Sequence, residues 1–289
     1  MAGGIAVAVG LVGIGFITGR NSAPSPEAPV AAPVPPTPPA PVTVAVVPAA
    51  LGRADLLALT GQAADAFASN TPMPAALAAA AGRRFDLILP FGCVPTGTLE
   101  SPGAMRWSFD PKAARLKISV DPILWQAEQW GGAGNAEVSE GLRGFWVARP
   151  WSSATTCAAA RMPGAEPGGA PLIPSSPTVA IARVAGPDPG GKVRPYEVVR
   201  RAGVDEIDPP KGFQFRIVGR LGAVSEGGPV KCRQPGGSEQ PPICFIIGTF
   251  SEVRIENPKD GAVLANWPIG DDVRGDDSAE SPRPLADPL

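Results

Sequence analysis

The spacing of apolar and polar positions changes character three times along this chain of 289 residues. Ala2 to Gly19 (AGGIAVAVGLVGIGFITG) carries no charged side chain. At helical rise such a stretch spans about 27 Å, marginally enough to cross a bilayer's hydrocarbon core. Ala23 to Pro48 has no period and holds ten prolines, which favours extended polyproline II over any packed element. From Ala54 to Ser69 the apolar positions Leu56, Leu59, Ala63, Ala66 and Phe67 share one helical face. This predicts an amphipathic helix, and Ala75–Ala81 a second, shorter one after Pro72 and Pro74.

After Arg84 the period becomes two. Phe85, Leu87 and Leu89 alternate, as do Met105, Trp107 and Phe109, then Leu116, Ile118 and Val120. Asp110–Ala113 reads as the connection between the last two strands. Gly144–Ala148 and Thr178–Val184 read as short strands, and Phe213, Phe215, Ile217 and Leu221 mark another. Ile243–Glu256 is the longest extended run; the turn Asn257–Gly261 returns it antiparallel as Ala262–Trp267. Pro195–Ala202 reads as one or two helical turns. Glu128–Glu140 and Ala160–Pro177 read as loops.

The expected fold is therefore mainly β (α+β): an antiparallel sandwich or partly open barrel with one or two N-terminal helices. A transmembrane helix and a disordered proline-rich linker are expected to precede it. The expected boundaries are an anchor at 1–22, the linker at 23–50 and a β-rich domain at 51–270, with a lobe boundary near 163–177. A disordered acidic tail is expected at 271–289. That tail holds six acids and two bases, so it carries −4 of a chain total of −2. The remainder is near +2, and no region has the basic footprint of a nucleic-acid binder.

An uncleaved anchor is favoured over a cleaved signal peptide. A basic region ahead of the apolar segment is missing, and Pro24 follows the best small-residue pattern, Asn21–Ala23. No cysteine near the segment's end offers a lipoprotein anchor. Gly15 and Gly19 form one GxxxG pair, a weak dimerisation signal. Arg20 opposes an outward-facing domain under the positive-inside rule, but a long downstream domain translocates despite one such charge.

Histidine is absent. That removes imidazole-dependent triads and the commonest zinc ligand and general base. The cysteines Cys93, Cys157, Cys232 and Cys244 contain no C-x-x-C pair, so they read as two disulfides in an oxidising compartment. Three pairings are open. Cys232–Cys244 is favoured, because extended runs flank both across a Pro/Gly-rich loop, and Cys93–Cys157 then follows by elimination. Four buried free thiols in a cytosol-facing protein are the competing reading.

Searches for a nucleophile elbow, a Walker loop, a dinucleotide fingerprint and an EF-hand find none. No cofactor or metal is expected. Asp271, Asp272, Asp276 and Asp277 read as a solvated tail. Asp205, Glu206 and Asp208, or Glu137 and Glu140, are the carboxylates that glycan hydrolysis would need, but their polar settings fit surface charges as well. Among the aromatic residues Trp107, Trp125, Trp130, Phe145, Trp146 and Trp151, four tryptophans lie near loops beside Arg143 and Arg149. Trp125, Trp130, Arg143, Trp146, Arg149 and Trp151 are the expected binding surface, against the plainer reading that the tryptophans are core.

The strings RFDLILPFGC (Arg84–Cys93) and GFWVARPW (Gly144–Trp151) resemble an uncharacterised family of membrane-anchored envelope proteins in alphaproteobacteria. The resemblance extends over most of the globular region and implies no activity. The layout of anchor, proline spacer and domain is also similar to that of the energy-transducing TonB group, although no C-terminal motif of that group is present. The functional expectation is a membrane-tethered binding or scaffold protein, single-pass in the inner membrane, its domain in the periplasm and non-enzymatic. Its partner would be an envelope protein or a cell-wall glycan. The alternative is a periplasmic carboxylate-dependent hydrolase acting on glycans.

Overall fold

The computed structural model describes residues 48–101, 103–130, 141–157, 177–185, 194–222 and 228–269. The expected anchor, nearly all of the linker, the acidic tail and Glu137 and Glu140 lie outside these residues. No helix among the described residues is long and apolar enough to cross a membrane.

The helical period yields α1 (Arg53–Ala68) and α2 (Ala75–Ala80), and a short α3 follows at Ala127–Trp130. The strands, in chain order, are β1 (Arg84–Phe91), β2 (Glu100–Ser101), β3 (Met105–Asp110), β4 (Arg115–Val120), β5 (Ile123–Trp125) and β6 (Leu142–Trp146). After them come β7 (Val179–Val184), β8 (Tyr196–Arg201), β9 (Phe213–Leu221), β10 (Val230–Arg233), β11 (Ile243–Asn257) and β12 (Ala262–Pro268).

They form two sheets and no closed barrel, so the sandwich describes the fold. The smaller sheet runs β2-β3-β4-β8. The larger runs β1-β9-β11-β7-β6-β5, with β10 and β12 also paired to β11. β11 has 15 residues and is long enough to have two sets of neighbours. Its first part, Cys244–Ile247, lies between β7 and β10. Its second part lies between β9 and β12.

Two expectations need correction. Pro195–Ala202 is not helical. β8 pairs antiparallel with β4 from Tyr196↔Val120 to Arg201↔Arg115, and Val198 is buried while Val199 is exposed. The adjacent β-branched valines and the alternation across them favour a strand over a short helix. Nor is the larger sheet wholly antiparallel, because β7 and β11 run parallel. Between them the chain passes through β8, β9 and β10, which gives it the long connection that a parallel pair requires. Residues 158–176, which include most of the expected lobe boundary, lie outside the described residues. The strands on either side of them, β6 and β7, are neighbours in one sheet.

The core is built on aromatic contacts. Phe215 sits 4.7 Å from Phe145 and 5.8 Å from Tyr196, and Tyr196 sits 5.3 Å from Trp267, measured between ring centres. Phe213 joins Phe91 and Trp107 in the same way. α1 packs against β10, β11 and β1 and contributes Leu56 and Ala63 to this cluster. β6 and β7 approach closely at Gly144, where a Cβ would collide with the Ile181 carbonyl and Ala182 Cα.

Opposite its buried face, the β1-β9-β11 region carries an ionic ladder. Arg216 Nε and Nη2 donate to the two oxygens of Asp86 at 2.7 and 2.6 Å. Its Nη1 reaches Glu256 at 3.4 Å. Arg254 makes the same two-pronged contact with Glu252, at 2.6 Å for each bond. The Arg216 contacts cross from β9 to β1 and β11 and so support their register, whereas the Arg254–Glu252 pair lies within β11 and neutralises charge along it.

Phe215→Ala removes a ring at the centre of the aromatic contacts. It should cost about 3–5 kcal/mol in urea unfolding; a loss under 1 kcal/mol would mean that this ring does not anchor the core. The hydrogen bonds from Arg254 hold the Glu252 carboxyl below its ordinary value of 4.5. A depressed carboxyl stabilises the fold above its unfolded pKa and loses that contribution as pH falls through the folded one. Glu252→Gln should therefore lower stability at pH 7 and differ less from the parent at pH 3, as read from paired urea curves.

Candidate functional site

The expected tryptophan surface divides in the structure. Trp125 is 5% exposed and Trp130 1%. Both belong to a second, smaller core on one face of β5, β6, β7 and the start of β11, with Leu142, Ala180, Ala182, Phe245 and Ile247. Trp146 packs against that cluster, 5.1 Å from Trp125. α3 closes the cluster: Arg233 Nη1 donates to the Glu128 carbonyl at 2.7 Å, and Lys231 Nζ lies 5.4 Å from the Trp130 ring centre. Arg143 lies within β6, between Leu124 and Arg183. Of the six residues, only Arg149 and Trp151 share a loop, and Trp151 is 76% exposed.

That loop, Ala148–Cys157, begins after Val147, the residue that follows β6. Arg149 takes a positive φ of 52°, an uncommon conformation for a residue with a side chain. Its carbonyl accepts the Ser152 N–H at 3.0 Å. The four residues Arg149–Ser152 thus form a closed turn with Pro150 in second place, where its fixed φ is favoured. Trp151 occupies the next position and points its ring to solvent.

Three independent contacts brace the loop. At its start, Arg53 from the first turn of α1 is only 2% exposed. Its Nη2 donates to the carbonyls of Ala148 (2.6 Å) and Arg149 (3.1 Å), and its Nε to that of Ser152 (3.0 Å). Burial, and then the nearby charge of Arg149, lowers its pKa from the usual guanidinium value. The group nevertheless stays charged, since arginine does not lose its proton in proteins. In the middle, Gln214 Nε2 donates to the Thr155 carbonyl at 2.8 Å. At the end, Cys157 is bonded to Cys93, just beyond β1.

Cys93 itself is fixed from both sides. Trp107 Nε1 donates to the Gly92 carbonyl at 2.8 Å. Gly92 has φ +67°, and a Cβ there would strike the Trp107 ring. The Val94 N–H donates to the Pro209 carbonyl at 3.1 Å. The other disulfide, Cys232–Cys244, joins directly opposed residues of β10 and β11 and is buried. Both pairings are those favoured from the sequence.

Two of the expected carboxylates, Glu206 and Asp208, have structural work. Glu206 accepts the Gly203 N–H at 2.7 Å and pairs with Arg200 at 3.5 Å, and Asp208 pairs with Lys211 at 3.3 Å. Asp205 and Glu206 lie in a single 3-10 turn. No three metal-ligating side chains gather among the described residues. A shallow depression of about 210 Å³ lies on the smaller sheet between Glu100, Arg106, Ser108, Lys117 and Ser119. Its two cations are already paired, Arg106 with Asp121 and Lys117 with Glu197.

Arg53 was not legible as part of a site. The one signal it leaves in the sequence is a basic residue in the first turn of a helix, where the macrodipole disfavours a cation. No family model, curated protein or solved structure matches this chain.

Arg53→Ala takes the guanidinium donor from the Ala148 and Ser152 carbonyls and leaves the Arg149 carbonyl only the Ser152 N–H, and should cost about 2–3 kcal/mol. Amide exchange at the Ser152 N–H and its neighbours should accelerate at least tenfold. Arg53→Lys, which keeps the charge but loses the fork, should recover only part of the protection. Unchanged exchange in Arg53→Ala would show that the turn holds without the guanidinium.

Proposed function

We propose that this chain is a non-enzymatic binding protein of the bacterial envelope. In this reading the apolar segment Ala2–Gly19 tethers it to the inner membrane, and the disulfide-bonded domain works in the periplasm. Its point of contact is the Trp151 turn. The observation that carries this reading is one large aromatic ring held in solvent by a loop braced at its start, middle and end. Tryptophan has only two side-chain torsions, so a ring on a fixed turn loses little entropy when it is covered. A largely exposed aromatic beside an arginine is also the composition of a binding hot spot. Two disulfides fit an oxidising compartment. The partner chemistry in view is a cell-wall sugar face or an apolar pocket on an envelope protein.

Full-length protein should sediment with purified cell-wall sacculi, or form a crosslink to an envelope protein from a photoreactive residue at position 151. Trp151→Ala should weaken whichever interaction is found at least tenfold while leaving the urea midpoint unchanged, because the exposed ring supports nothing else. Retention equal to the parent would remove Trp151 as the contact. Thiols of protein alkylated directly in cells should number zero; four free thiols would reverse the topology.

A further inference from the structure

The two disulfides differ in the property that governs thiol–disulfide exchange, which is access. Cys244 and Cys232 are both buried, 1% and 7% exposed, between paired strands. Cys93 is exposed and Cys157 half-buried. An incoming thiolate has to reach a sulfur along the axis of the S–S bond, so an exposed disulfide exchanges while a buried one waits for the fold to open. The setting of Cys93–Cys157 adds two further points. Arg149 Nη2 donates to the Thr156 carbonyl at 3.3 Å, which places a cation one residue from Cys157. A positive charge there favours Cys157 as the departing thiolate. Cys93, in turn, is held by backbone contacts on both sides, so it stays in place when the bond opens.

From this geometry we infer that Cys93–Cys157 is a thiol–disulfide exchange site, and that its state sets the tension on the Trp151 loop. The co-reactant is a dithiol, such as the paired cysteines of an oxidoreductase. One thiolate of the dithiol attacks Cys93 Sγ, and the Cys157 thiolate leaves and takes up a proton. The second thiol of the dithiol then displaces Cys93 from the mixed disulfide. Two electrons and two protons pass from the dithiol to the protein, and the dithiol becomes a disulfide. The bond that opens is the brace at the end of the loop. The brace at its start, Arg53 on the Ala148, Arg149 and Ser152 carbonyls, carries no redox chemistry and remains. The brace in the middle, Gln214 on the Thr155 carbonyl, remains as well, so reduction frees the Cys157 end of 153–157 most and leaves Trp151 on a loop that has lost one of its three braces. The link to binding rests on the proposed role of Trp151; the exchange itself does not.

Full-length oxidised protein is treated with graded dithiothreitol without denaturant, alkylated and mapped by mass spectrometry. Cys93 and Cys157 should be labelled together, at least tenfold faster than Cys232 and Cys244, with the far-ultraviolet circular dichroism retained. Amide exchange should rise most at 153–157 in the partly reduced protein. Equal labelling of all four cysteines, or unchanged exchange at 153–157 once Cys93 and Cys157 are reduced, would overturn the inference. The double variant Cys93→Ser, Cys157→Ser should reproduce the loosened loop. If it does not fold, the bond is a structural requirement and the inference fails. Labelling and exchange need no partner, so their outcome is separate from the sedimentation result with Trp151→Ala.

Discussion

One strand sets the geometry of this protein. β11 hydrogen-bonds to β7, β9, β10 and β12, and no other strand could be removed at comparable cost to the rest. Its length lets two differently built regions share one backbone ladder. Around its second part the sheet has a buried face against the smaller sheet and an opposite face of arginines and carboxylates. Around its first part both faces are covered, by the main core on one side and by the Trp125–Trp130 cluster on the other. That difference explains why Val179, Ala180, Ile181 and Ala182 are all buried in succession, a run expected of a strand with apolar surroundings on both faces.

The braced loop depends on the same construction. Gln214, near the start of β9, is in register with Glu256 of β11, and Cys93 follows the end of β1. Arg53 completes the arrangement from the helix that packs beside β10 and β11. Its cost is a charge withdrawn from water that donates to backbone carbonyls, and carbonyl dipoles compensate a cation less fully than a carboxylate does. What the protein obtains is a turn whose three carbonyl orientations are fixed by one rigid fork, so the backbone that carries Trp151 is held in one place.

Much of the fold was legible because period two is a local signal. β1, β3, β4, β9 and β12 each show it within six to nine residues, and the turns after Asp110 and Asn257 punctuate it. β8 was misread because six residues containing Glu, Arg and two valines fit either period when a proline precedes them. The parallel pairing of β7 with β11 leaves no local mark at all, since it is fixed by where a long connection returns. The tryptophans show the same limit: proximity to loops in sequence does not separate Trp151, on a turn, from Trp125 and Trp130, which a four-residue helix seals from solvent. The disulfides were legible for a physical reason, because Cys232 and Cys244 flank a hairpin-like loop and leave one pairing for the others.

β9 and β10 lie along the same edge of β11. Ile247 accepts the Gly222 N–H at 2.9 Å and donates its own N–H to the Pro229 carbonyl at 2.7 Å. In effect they are one broken strand, and the chain departs and returns at a single residue of its neighbour. The return is pinned at Gly228, where φ is +105° and a Cβ would crowd the Leu77 carbonyl of α2. Extra sequence spliced between Gly222 and Gly228 would thus leave through one gap in the ladder and re-enter through the same gap. The register on either side would be unaltered, so an epitope, a fluorophore or a whole guest domain has a natural port of entry into this fold.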